Sequence, residues 1–183
     1  MIVLVLGVLL FFGIHMLPAF SLNTRLSTKF GEGRYKAAFS IASFVGIGLM
    51  IYGFSLAEFV SLWTPMSWGR SLTIGLMPIV VILLCAADSP NNIKRFVRHP
   101  MLIGITLWGG THLAANGDLA STILFASFAV FSLLDIVLVE TSGRFKPKEP
   151  VSFGWDIGVI VGGLVLYAVL YYFHGSFTGM PLR

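Results

Sequence analysis

The chain has 183 residues, of which 56% are apolar and only 11% charged, and its mean hydropathy is +0.89. Ordinary soluble domains carry roughly a quarter of charged residues, so a water-soluble core is excluded, and one integral membrane domain over 1–183 is expected. The net charge of +4 sits in short gaps between apolar runs, so it reports membrane topology and gives no reason to expect a nucleic-acid partner.

Cys85 is the single cysteine. An intrachain disulfide and a cysteine-based metal cluster are therefore impossible within one chain, and any metal chemistry falls to histidine.

Read in chain order, the apolar runs predict an all-α polytopic helical bundle of about six transmembrane helices, over 2–20, 35–57, 71–87, 100–116, 119–140 and 154–174. The third run is short and holds Pro78, so a count of about five to seven is compatible with the pattern. The first run has no basic residue before it and is followed by Arg25, Lys29, Arg34 and Lys36, which marks a retained helix and not a secretory leader.

The first, third and fifth gaps hold ten cations (Arg25, Lys29, Arg34, Lys36; Lys94, Arg95, Arg98; Arg144, Lys146, Lys148), against Arg70 and Arg183 elsewhere. Lys and Arg of short loops stay cytoplasmic, so both termini are expected outside, in the periplasm if the host is a bacterium. Trp63, Trp68, Trp155, Tyr171 and Tyr172 fall at span ends, where amphipathic rings anchor. Gly158 and Gly162 form a small-xxx-small pair, and Gly46, Gly48, Gly104, Gly109 and Gly110 also permit close helix approach. Asn116-Gly117-Asp118 reads as a helix stop and tight turn.

Ionisable groups at membrane depth are costly and define the candidate site. At ~1.5 Å per residue, His15 lies ~6 Å, Asp135 ~7 Å and His99 ~13 Å to the cytoplasmic side of their span midpoints, and His112 ~6 Å to the outer side. Pro100 suits a first helical position, which makes His99 the N-cap of its helix. That site favours a neutral imidazole and a nearby anion, and Arg98 reinforces the preference; a haem propionate, a lipid phosphate or a substrate carboxylate would each satisfy it.

His99 and His112 are thirteen residues apart, which turns their side chains ~140° away from each other, so one helix face cannot present both. A single cofactor ligated from two helices fits better, with His15 and His99 as the first choice and His15 and His112 as the second.

Plainer readings stand beside these. Arg98 is also a topology anchor in a basic loop, His174 an interfacial residue, and His15 and His112 can simply hydrogen-bond across helices. Asp135 requires a partner: a cation, a histidine N–H, or its own proton.

The segments GIHMLP (13–18), KFGEGRYKAAFSIASFVG (29–46), LWTPMSW (62–68), VRHPMLIGITLWGGTHLAANGDLAST (97–122) and ILFASFAVFSLLD (123–135) together resemble NnrU-family membrane proteins. That resemblance implies a bacterial inner-membrane protein associated with denitrification and nitric-oxide metabolism. The plant zeta-carotene isomerase, a haem b enzyme with histidine ligation, is similar more distantly. Carried over by motif, the likeness implies His15 and His99 as haem ligands, Arg98 beside propionates and Asp135 in a supporting role. Two departures stand out: Asp135 is followed by IVLVET where the family pattern has arginine, and Met66 stands where a second proline is common. The segment after Ser142 carries none of these motifs.

Three functions compete at this point. The first is haem b chemistry, redox or isomerase, on a hydrophobic small molecule. The second is a non-catalytic accessory or transport role beside a nitrogen-oxide respiratory protein. The third is membrane methyl transfer, suggested by RHP at a helix start but lacking a later acidic motif.

Overall fold

A computed structural model of the chain describes residues 1–143 and 148–182; Arg144, Lys146 and Arg183 of the topology count lie outside them. The described residues form α-helices and no strand: α1 (Ile2–His15), a 3₁₀ turn (Leu17–Phe20), α2 (Leu22–Phe30), α3 (Glu32–Ser55), α4 (Gly69–Asp88), α5 (Ile93–Phe96), α6 (Pro100–Ala115), α7 (Leu119–Thr141) and α8 (Gly154–Thr178).

In hydrocarbon every backbone N–H and C=O must be satisfied inside its own segment, and a helix does this without a neighbour. Helices α3, α4, α7 and α8 are long and apolar enough to cross a membrane. The fold is thus the multi-pass all-α class that composition required. Two expected spans are shorter than the rule demands. Helix α1 has 14 residues and α6 has 16, or ~21 Å and ~24 Å of rise against a hydrocarbon core of ~30 Å.

The run expected as one helix over 2–20 stops at His15. Pro18 has no N–H to continue the α ladder and its ring clashes with the preceding turn, so the chain tightens into the 3₁₀ turn. Ser21, at φ +56°, then redirects it into α2.

The chain divides into two compact units. The first comprises 1–64 and 116–127, the second 65–115 and 128–183. Helix α7 belongs to the first up to Ser127 and to the second from Phe128.

In the first unit α1 and α3 pack antiparallel through glycines. A Cβ at Gly7 would stand 2.6 Å from the Met50 nitrogen, and one at Gly53 would overlap the backbone of Leu4, which is fully buried. The segment after α3 is tied to the Asn116-Gly117-Asp118 turn: Leu62 N donates to Gly117 O at 2.7 Å and Leu119 N to Val60 O at 2.8 Å. Asp118, itself buried, accepts from Ser121 N at 2.9 Å and so caps α7.

In the second unit α4 is central. Val80, Val81, Leu83 and Ala86 form its buried face, and Thr73 Oγ1 donates to Thr111 O of α6 at 2.9 Å. On its other side Gly163 of α8 meets Ile82, and Tyr167 Oη donates to Ile74 O at 3.1 Å. The loop after α4 is fastened to the start of α8 by Asn92. Its backbone N and Nδ2 both donate to Asp156, each at 2.7 Å, while its Oδ1 accepts from Val151 N at 3.0 Å. Asp156 is 5% exposed, and a buried carboxylate left without donors is strongly destabilising.

Two outcomes follow for stability, measured as thermal or denaturant unfolding of the detergent-purified protein. Gly53→Ala should cost about 1–3 kcal/mol by overpacking α1 on α3, whereas Gly162→Ala, with open space around it, should be neutral. Asn92→Ala should cost about 1–3 kcal/mol by removing the Nδ2 donor to Asp156, and Asp156→Asn should cost less because the amide keeps an acceptor oxygen for the Asn92 N–H and leaves no buried charge.

Candidate functional site

His15 closes α1 in the first unit and is half-buried. Its Nδ1 lies 2.7 Å from Phe11 O, its ring stacks on Phe11 at 4.1 Å, and Phe39 of α3 tilts against it at 5.0 Å. A carbonyl can only accept, so Nδ1 must carry the proton. In the neutral ring Nε2 then holds the lone pair. Metal-ligating histidines commonly hold this tautomer, with the other ring nitrogen fixed by a carbonyl or carboxylate.

His112, in the second unit, repeats the arrangement. Its Nδ1 sits 2.8 Å from Trp108 O, its ring lies 5.3 Å from the Trp108 ring, and Trp108 meets Phe128 of α7 edge-on at 5.4 Å. It too carries its proton on Nδ1 and its lone pair on Nε2.

His99 differs. It is the N-cap expected from Pro100, its carbonyl accepting from Ile103 N at 2.9 Å, and its side chain is 11% exposed. Its Nε2 lies 2.8 Å from Glu140 Oε1, and Arg98 Nη1 lies 3.0 Å from Glu140 Oε2. An ionised carboxylate accepts only, so here the proton is on Nε2. Ligation of a metal through that nitrogen would require Glu140 to be displaced.

Arg98 and His99, two of the residues the motifs singled out, are therefore brought together by a third that sequence reading passed over. Asp135 is half-buried within α7, and five residues of helix rotate it ~140° from Glu140, onto a different face. His15 lies in one unit and Arg98, His99, His112 and Asp135 in the other. Among the described residues no group of three or more His, Cys, Asp or Glu side chains could hold a metal ion by itself. Histidine ligation of a haem, whose porphyrin supplies the remaining donors, needs no such group.

These features define a multi-pass helical membrane protein with imidazoles held at the ends and interiors of apolar helices. The family model described as NnrU protein matches residues 3–182, so the chain belongs to the NnrU family. The match runs through α8, well past Asp135, where the motif resemblance stopped. No curated protein and no solved structure matches the chain.

Glu140 is 36% exposed and Arg98 more so, which limits what their contact contributes. Glu140→Ala should leave unfolding stability nearly unchanged, because so exposed a contact contributes little. Its larger effect should be on His99, whose ring protons, followed by NMR of histidine-labelled protein, should shift when the carboxylate is removed.

Proposed function

We propose that the protein binds haem b through histidine and uses it in redox or isomerase chemistry on a hydrophobic small molecule, as a component of nitric-oxide and denitrification metabolism in a bacterial inner membrane. The observation that carries this reading is the shared tautomer of His15 and His112. Each gives its Nδ1 proton to a carbonyl of its own helix, one turn back, which puts the lone pair on Nε2, the tautomer that iron ligation requires. The family resemblance named His15 and His99, and the donor chemistry supports His15 in both pairings while ranking His112 above His99.

When bound, haem b would supply a redox-active iron. The residues of the chain do the rest. Phe11 and Phe39 hold the His15 ring, Trp108 holds that of His112 and is itself backed by Phe128, and all four are aromatic surfaces suited to a macrocycle. Arg98 can reach propionates only in competition with Glu140. Asp135 is the half-buried carboxyl available to orient a histidine or hold a proton, and the accessory or transport alternative would draw on the same group.

Absorption spectra of the haem-supplied, detergent-purified protein test the reading. A Soret band is expected, weakened strongly by His15→Ala and by His112→Ala and less by His99→Ala. A folded, haem-supplied preparation without that band overturns haem binding. A band lost in His99→Ala but intact in His112→Ala restores the pairing implied by the family.

A further inference from the structure

The segment entering α3 carries a charge pattern that haem binding does not use. From Ser21 to Lys36 it holds four cations, Arg25, Lys29, Arg34 and Lys36, and one anion, Glu32, a net of +3. Lys36 is paired with Glu32 at 2.6 Å, whereas among the described residues Arg25, Lys29 and Arg34 are held in no ion pair. All three are exposed.

On α2, at ~100° per residue, Leu22, Leu26 and Phe30 fall within an arc of ~80°, and Arg25 and Lys29 border that arc on one side. Asn23, Thr24, Ser27 and Thr28 occupy the remaining arc. With Glu32, Tyr35 and Lys36 of α3 they line an open polar cleft of about 400 Å³. The hydrophilic face of α2 is thus turned toward α3 and water; on the apolar stripe Leu22 and Leu26 are half-buried, and Phe30 is exposed beside the exposed cationic border of Arg25 and Lys29. Phe20 and Phe30, at the two ends of the segment, are 66% and 52% exposed, and Lys29 Nζ lies 5.2 Å from the Phe30 ring centre.

An apolar stripe with cations along its edge suits a helix lying in a membrane interface, where long basic side chains run over the apolar surface and lift their charges to headgroup level. We propose that α2 is such an interfacial helix and that Arg25 and Lys29 bind the phosphates of anionic phospholipids. Charge complementarity selects the occupant. A zwitterionic headgroup carries its own cation and offers no net attraction, whereas an anionic one gains with each Lys or Arg near the surface.

Native mass spectrometry of the full-length protein, extracted from vesicles of equimolar phosphatidylglycerol and phosphatidylcholine with matched acyl chains, tests this. The protein should retain phosphatidylglycerol preferentially, and less of it as salt rises. Arg25→Gln/Lys29→Gln should reduce the preference roughly tenfold to thirtyfold, and Arg25→Lys should keep it. Both positions are exposed, so an unchanged thermal transition confirms that the double variant folds. Equal retention of the two lipids by the unaltered protein overturns the proposal and leaves the basic border to an acidic protein partner. A preference that survives in the folded double variant overturns it as well, because the lipid then binds elsewhere.

Discussion

A bilayer gives a buried donor no water to bond to, and this chain meets that constraint repeatedly with one device: the side chain reaches back to the carbonyl a turn earlier. Ser43 uses Phe39 O, Thr73 uses Gly69 O, Thr106 uses Leu102 O and Ser127 uses Ile123 O. The imidazoles of His15 and His112 do the same with Phe11 O and Trp108 O. What serves a hydroxyl merely as satisfaction has a chemical by-product in a histidine, because fixing the proton on Nδ1 assigns the lone pair to Nε2. The tautomer that suits iron follows from the same solvent that forbids an unsatisfied N–H.

Among lipid-like neighbours there is little hydrophobic drive for one helix to join another, so close packing has to supply it. The glycines divide along that line. Gly7, Gly53 and Gly163 sit where a methyl group would strike a neighbouring helix, whereas Gly48, Gly158 and Gly162 face open space. A small-xxx-small spacing in the sequence could not separate these uses. The pair it highlighted on α8 faces outward, and the contact with α4 is made by Gly163, one residue along.

Composition and charge were enough to read the class, the positions of the six apolar helices, the cap at His99 and the turn at Asn116-Gly117-Asp118. The site was less legible, for reasons of register. His99 lies 18 residues before Gly117 and Asp135 lies 18 after it, so equal counting along an antiparallel hairpin pairs those two. The contact falls instead on Glu140, since His99 stands outside the first turn of α6 and a glutamate side chain is long. The end of α1 at His15 and the existence of α2 were missed because hydropathy runs smoothly through GIHMLPAFSL, and the break depends on the stereochemistry of Pro18. Asn92, an uncharged loop residue, gave no signal at all of its hold on Asp156.

Helix α6, at 16 residues, is shorter than the four helices able to cross a membrane. Its ~24 Å is less than a ~30 Å slab of hydrocarbon, so a crossing by α6 alone would need thinner leaflets around it or polar headgroups drawn down to its ends. Both ends hold groups that welcome polarity: Arg98, His99 and Glu140 at one, the Asn116-Gly117-Asp118 turn at the other.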